Sequence, residues 1–198
     1  MRYQCNVNTV GDTVGSLSEA QRSIILGSLL GDGAMRCKTN ALLEINHSAA
    51  QRSYVDWKYQ QLSNLVTTPP KSRCGNGGRI AYRFVTRSLP ELTPYFHRFY
   101  RTGKKTVEEI PDRTPLALAV WLMDDGCRSR KSVYLNTQQF DMDSQQFLLS
   151  ALRQFGIEGT LNRDRSYSRI RVSVPGTVKL VELVEPYVRP ELRYKLPQ

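Results

Sequence analysis

Cysteine and histidine are scarce in this sequence. Four cysteines, Cys5, Cys37, Cys74 and Cys127, stand far apart without a Cys-x-x-Cys pair, and His47 and His97 are the only histidines. Structural zinc needs clustered Cys and His ligands, so no zinc site is expected. Disulfides are equally unsupported in a chain read as intracellular. Long apolar runs are lacking too: none approaches the roughly 20 residues that span a bilayer. The opening MRYQCNVNTVGDTVGS has no apolar segment of signal-peptide length. A soluble, intracellular protein without a membrane partner is expected, with organellar, bacterial and phage settings left open. Acidic residues are outnumbered 18 to 28 by Lys and Arg, which leaves a formal charge of +10. That balance suits a polyanion binder. With 198 residues and 40% hydrophobic content, the chain can build a packed core as one large domain or two small fused ones.

Two segments stand out, 24–33 (IILGSLLGDG) and 117–126 (ALAVWLMDDG). Each reads as an apolar helix running into an acidic residue and then a glycine. Glycine just past a helix end is ordinary capping chemistry in the left-handed conformation. An aspartate in the last turn is unfavourable, because the carbonyl end of the helix dipole is negative. A local rule broken twice points to function. Asp125 follows Asp32 by 93 residues, close to half the chain, so each half carries one copy. Gly27 and Gly31, four residues apart, allow close approach of a partner helix, and Ala119 is expected to contribute likewise from the second segment.

Further elements follow in parallel order. Residues 34–47 read as a hairpin with Leu43 and Ile45 on one face and Glu44 and Asn46 on the other. A helix over about 48–66 places Val55, Tyr59 and Leu62 on one buried stripe. After a CGNGG turn, the strand 79–87 alternates Ile80, Tyr82 and Phe84 with Arg79, Arg83 and Arg87. A short aromatic helix over 89–100 and a charged connection over 101–111 complete the first half. The second half repeats the pattern, with a strand at 133–137, a helix at 143–155 and a strand at 169–174. There Ile170, Val172 and Val174 alternate with Arg169, Arg171 and Ser173. A closing helix covers 178–188. The repeat is one of pattern rather than of letters.

Phosphodiester hydrolysis requires charge neutralisation, activation of water and stabilisation of the leaving oxygen, which carboxylate-held divalent metals can provide. Asp32 and Asp125 are the candidate ligands. Hard oxygen donors at a helix end suit magnesium, which would also relieve the repulsion between neighbouring carboxylates.

The chain resembles the LAGLIDADG homing endonucleases, in their two-motif monomeric branch. The resemblance rests on Gly27 and Asp32-Gly33 in the first motif and on Leu118-Ala119 and Asp125-Gly126 in the second. Lys104-Lys105-Thr106-Val107, Trp121-Leu122-Met123-Asp124-Asp125-Gly126, Leu135-Asn136-Thr137-Gln138 and Tyr194-Lys195-Leu196-Pro197 resemble stretches of a mitochondrial intron-encoded member, spanning roughly 20–197. Leu30 and Met123 replace the first acidic letter of the motif, and Val120 replaces the packing glycine of its second copy.

The resemblance implies an α/β (α+β) fold of two pseudo-symmetric αββαββα halves with paired central helices and saddle-shaped antiparallel sheets. The expected divisions are an arm over 1–15, a first half over 16–104 and a second over 105–198. It implies metal ligation by Asp32 and Asp125 with the backbone carbonyls of Gly31 and Asp124, and Lys105 and Lys195 as basic partners in catalysis. The offset of 90 between the lysines nearly equals that between the aspartates. DNA-facing candidates are Arg36, Lys38, Glu44, Asn46, Arg79, Arg83 and Arg87 in the first half. Those of the second half are Arg128, Arg130, Tyr134, Asn136, Arg169 and Arg171. Arginine suits guanine and asparagine suits adenine.

The implied activity is that of a monomer that cuts both strands of a long asymmetric double-stranded DNA site. Magnesium is the implied cofactor, with manganese a substitute, and the products carry short 3′ overhangs. The alternatives are an RNA-binding intron maturase on the same fold, with intron RNA as partner, and a non-catalytic DNA-binding regulator. An intein is not expected, because Met1 and Leu196-Pro197-Gln198 stand where splice-junction residues would be.

Overall fold

The computed structural model describes residues 16–101, 103–110 and 113–197; the expected arm over 1–15 lies outside them. Helix α1 (Glu19–Leu30) starts at a reciprocal capping box. Ser18 Oγ accepts from the Gln21 N–H at 3.2 Å, and the Ser18 N–H donates to Gln21 Oε1 at 3.1 Å. Helix α4 (Pro115–Asp125) starts with Thr114 accepting from the Ala117 N–H and with proline in the first turn, where no N–H is needed. Both helices are apolar on nearly every side, which only a buried helix can be. Residues from Ser23 to Leu30 and from Ala117 to Asp124 are buried.

Around this pair the chain runs β1 (Ala34–Cys37), β2 (Ala41–Ser48), α2 (Arg52–Gln61), β3 (Lys71–Cys74), β4 (Ile80–Val85) and α3 (Thr93–Phe99). Beyond α4 come β5 (Gly126–Ser129), β6 (Ser132–Leu135), α5 (Met142–Arg153), β7 (Gly159–Asp164), β8 (Tyr167–Val172) and α6 (Val174–Val184). The strands form two antiparallel four-stranded sheets with equivalent orders, β1-β2-β4-β3 and β5-β6-β8-β7. Each sheet turns one face to the helices. Leu43, Ile45, Tyr82 and Phe84 enter the core from the first sheet, and Val133, Leu135, Ile170 and Val172 from the second. The alternating residues form the opposite, polar faces. No helix among the described residues is long and apolar enough to cross a membrane.

Several local expectations are corrected. Neither motif glycine adopts the left-handed conformation. Gly126 is extended at φ −71° and ψ 141°, and Gly33 is not among the positive-φ glycines. Space is what they provide: a Cβ on Gly33 would lie 2.7 Å from the Ser28 oxygen, and one on Gly126 would lie 2.4 Å from the Leu122 oxygen. Crowding at Gly27 comes from Ala117 and Val120, and at Gly31 from Asp124. Ile80 is 53% exposed at the turn end of the β3–β4 hairpin, whereas Tyr82 and Phe84 meet Asp56 and Tyr59 of α2. Val174 opens α6 instead of ending a strand, since the Ser173 hydroxyl accepts from the Gly176 N–H and caps the helix there. Strands β3 and β7 were not individually legible. Lys71 to Cys74 are exposed throughout, so no apolar alternation marks them.

Candidate active site

Where α1 and α4 cross, a Cβ on Gly27 would lie 2.5 Å from the Ala117 oxygen and 2.6 Å from Val120 Cβ. One turn further, a Cβ on Gly31 would lie 2.3 Å from Asp124 Cβ. The backbones approach this closely only because the first helix carries glycine at both positions. The crossing leaves both helix C-termini side by side, with Asp32 just beyond α1 and Asp125 closing α4.

A lysine serves the carbonyl end of each helix. Lys105 Nζ donates to the Gly31 oxygen at 2.9 Å and the Gly33 oxygen at 2.8 Å. Lys195 Nζ donates to the oxygens of Met123 and Asp124, the latter at 2.8 Å. Cations at these ends offset the dipole that makes an aspartate unfavourable there. Burial lowers the Lys105 pKa to about 8 against the pull of Asp125, Asp124 and Asp32, and it lowers that of Lys195 as well.

The two aspartates sit in different surroundings. Asp125 is pushed up to about 7, first by burial and then by the negative charges of Asp32 and Asp124. Gln139 Nε2 lies 3.2 Å from Asp125 Oδ2 and 3.2 Å from the Gly31 oxygen, joining the two motifs. At Asp32, burial acts to raise the pKa but is outweighed. The hydrogen bond and charge of His47, with the charges of Lys58 and Lys195, hold Asp32 below the ordinary carboxylate value. His47 Nδ1 lies 3.4 Å from Asp32 Oδ2.

Among the described residues, no group of three or more His, Cys, Asp or Glu side chains is placed to hold a metal. The oxygens facing the site are the two carboxylates and, alongside their bonds to the lysines, the carbonyls of Gly31 and Asp124. Such a set suits a hard ion that keeps several waters, as magnesium does. The raised Asp125 pKa marks an excess of negative charge that a cation would relieve.

Four residues at the site were missed in the sequence: His47, Tyr54, Lys58 and Gln139. Lys58 left a signal, since it falls on the helical stripe between Val55 and Leu62, where a charge is out of place. Gln139 adjoins the LNTQ stretch that carried part of the resemblance.

On the polar face of the first sheet, Glu44 pairs with Arg36 at 2.7 Å and Arg83 at 3.1 Å. Asn46, Arg83 and Lys71 form a row through their strand registers. Lys71 and Arg73 of β3 add basic groups that were not expected. Lys38 is exposed in the β1–β2 turn, and Arg79 is exposed before β4. Arg87 lies past β4, where its guanidinium donates to the Asn64 oxygen at 3.1 Å.

In the second sheet, Arg169 lies 4.4 Å over the Tyr134 ring and reaches Asn136 Oδ1 at 3.4 Å, and Asn162 donates to the Tyr134 hydroxyl. Arg171 is exposed opposite Tyr134. Arg130 occupies the β5–β6 turn at φ 53°. Arg128 pairs with Val133, a core residue, so the register sets it on the face opposite Tyr134. It is not brought together with the other candidates.

Paired helix ends with acidic termini, flanked by two equivalent antiparallel sheets, define a LAGLIDADG architecture. The chain belongs to the LAGLIDADG DNA endonuclease family, whose model matches residues 22–180. It is 28% identical to the cytochrome b mRNA maturase bI2 of Saccharomyces cerevisiae, over 98% of this chain and 52% of that protein. It is 34% identical to the RecA protein of Mycobacterium gastri, over 91% of this chain and 48% of that protein. The chain thus spans about half the length of these curated relatives. Its fold matches the homing endonuclease I-WcaI, solved bound to its DNA recognition sequence, with a TM-score of 0.82 and 24% identity over 92% of this chain and 88% of that one.

Proposed function

We propose that this chain is a site-specific homing endonuclease that hydrolyses both strands of a long, asymmetric double-stranded DNA target as a magnesium-dependent monomer. The observation that carries this reading is the composite end of α1 and α4. Two aspartates meet there, each beside a lysine bonded to the preceding helix-end carbonyl. Residues 16–104 and 105–198 form the two halves, each supplying one aspartate and one sheet, while Lys105, at the junction, and Lys195 both fall in the second.

Asp32 and Asp125, with the Gly31 and Asp124 carbonyls, would hold the magnesium. When bound, the ion supplies charge neutralisation at the phosphate and acidifies water. Lys105 and Lys195 steady the helix-end carbonyls, and in this reading their positive charge would offset negative charge developing on a bound phosphate. Gln139 fixes the Asp125 carboxylate, and His47 fixes that of Asp32. The polar sheet faces lie along the DNA, with Arg83, Arg169 and Arg171 among the groups that meet its charge and bases.

Replacing Asp32 or Asp125 with Asn should abolish magnesium-dependent plasmid cleavage while leaving DNA binding, as read by gel shift. Undiminished cleavage would overturn the ligand assignment. A second reading, an RNA-binding intron maturase, is favoured by the likeness to the bI2 maturase over nearly the whole chain. Binding and splicing assays on intron RNA separate the two readings, since a maturase promotes splicing without requiring cleavage of the intronless DNA junction.

A further inference from the structure

Asp124 precedes the second motif aspartate, yet every partner of its buried carboxylate belongs to the first half. Oδ1 accepts from the Tyr54 hydroxyl at 2.7 Å and from Lys58 Nζ at 2.8 Å. Oδ2 accepts from Lys58 Nζ at 3.0 Å and from the backbone N–H of Asp32 at 3.2 Å. Asp124 and Lys58 side chains are both fully buried. His47 closes the cluster, with Nε2 3.4 Å from Lys58 Nζ and its ring edge-on to Tyr54.

Among the described residues, this cluster has no counterpart in the other half. At the 93-residue offset that relates the two aspartates, Asp124 falls on Gly31, which has no side chain, and Lys58 falls on Ala151. The face of α5 bearing Leu148, Ala151 and Leu152 is apolar and buried. Cohesion between the halves therefore does not require a buried charge pair. Such pairs contribute little to stability compared with apolar packing, because desolvation offsets their attraction. They do impose direction, and a carboxylate with four donor contacts fixes the position of whatever it touches. Here it touches the backbone of Asp32.

We infer that Asp124, Lys58 and Tyr54 form an inter-half clasp that positions Asp32, so that the two strand cleavages depend unequally on one buried pair. Asp124 and Lys58 are positioning residues in this role. Asp125 takes its support from Gln139 and stands outside the clasp. Loosening the clasp slows attack at the phosphate served by Asp32 more than at the one served by Asp125. Nicked DNA accumulates as a result. The inference rests on the nuclease reading and adds to it a sequence-encoded difference between its two halves.

The test follows each strand separately, on duplex target labelled at either 5′ end, with unfolding temperature measured alongside. The double variant Lys58→Met/Asp124→Asn removes both charges together and leaves no lone buried ion. Tyr54→Phe removes a single donor. The double variant should fold, bind the target and shift the ratio of the two strand rates by about tenfold or more, as a small misplacement at a reacting centre does. Tyr54→Phe should shift the ratio in the same direction and by less. Equal slowing of both strands, or an unchanged ratio in the variants while the wild type cuts, would overturn the clasp alone. A wild type that cuts neither strand would overturn the nuclease reading and the clasp with it. Should the double variant not fold, the ratio in Tyr54→Phe decides by the same criterion.

Discussion

Gly27→Ala tests the helix crossing with one methyl group. The added Cβ would lie 2.5 Å from the Ala117 oxygen, 2.6 Å from Val120 Cβ and 2.9 Å from Val120 Cγ1. Carbon contacts are comfortable from about 3.5 Å, so α1 and α4 must part by roughly 1 Å. Two of the three contacts are to a backbone carbonyl and a Cβ, which no rotamer change can move. Overpacking of this kind costs about 1–3 kcal/mol, to which the better helix propensity of alanine returns up to about 1 kcal/mol. For a chain of this length each kcal/mol lowers the unfolding temperature by about 2–4 °C. Asp32 follows α1 directly, so the displacement carries it away from Asp125. A misplacement of about 1 Å lowers turnover by roughly 100-fold. Scanning calorimetry and plasmid linearisation in magnesium read the two effects separately, and gel shift should show DNA binding retained. Adding Val120→Ala removes only the Cγ1 contact, so it should rescue stability in part. Unchanged unfolding temperature and cleavage in Gly27→Ala would refute the close crossing and the argument that it sets the distance between the carboxylates.

The raised Asp125 pKa ties metal binding to pH. Its folded-state value of about 7 lies above the unfolded 3.8, so its contribution to metal-free stability declines as pH rises through that window. Magnesium needs the ionised carboxylate, so its stabilising effect on the unfolding temperature should be larger at about pH 8 than at about pH 6. Asp125→Asn should remove that difference; an equal magnesium effect at both pH values would contradict the assignment. Glu44→Gln releases Arg36 and Arg83 from their shared carboxylate. Nonspecific DNA affinity should rise, and the slope of log affinity against log salt should steepen by about 1 per added phosphate contact. An unchanged slope would remove these arginines from the DNA face. Lys195→Met leaves the Met123 and Asp124 carbonyls without their ammonium donor, and should destabilise the fold by about 1–3 kcal/mol in urea unfolding.

The apolar helices and the alternating strands β2, β4 and β8 were legible because their side-chain periods match the faces they bury. The polar strands β3 and β7 were not, because their pairing partners define them rather than any apolar period of their own. In the site, Asp32, Asp125, Lys105 and Lys195 could be named from motif and offset. His47 and Tyr54 gave no such sign, since an isolated histidine or tyrosine reads equally well as packing.

Sequence alone determined that two acidic helix ends recur at a nearly constant spacing in a strongly basic chain. Local chemistry sufficed for this, because caps, periodicity and charge are written residue by residue. Tertiary structure decided what the ends become. The missing Cβ atoms of Gly27 and Gly31 bring the helices together, and Asp124 reaches across that contact to Lys58, Tyr54 and the Asp32 backbone. Those contacts join residues more than 60 positions apart, so only the packing of one half against the other could create them.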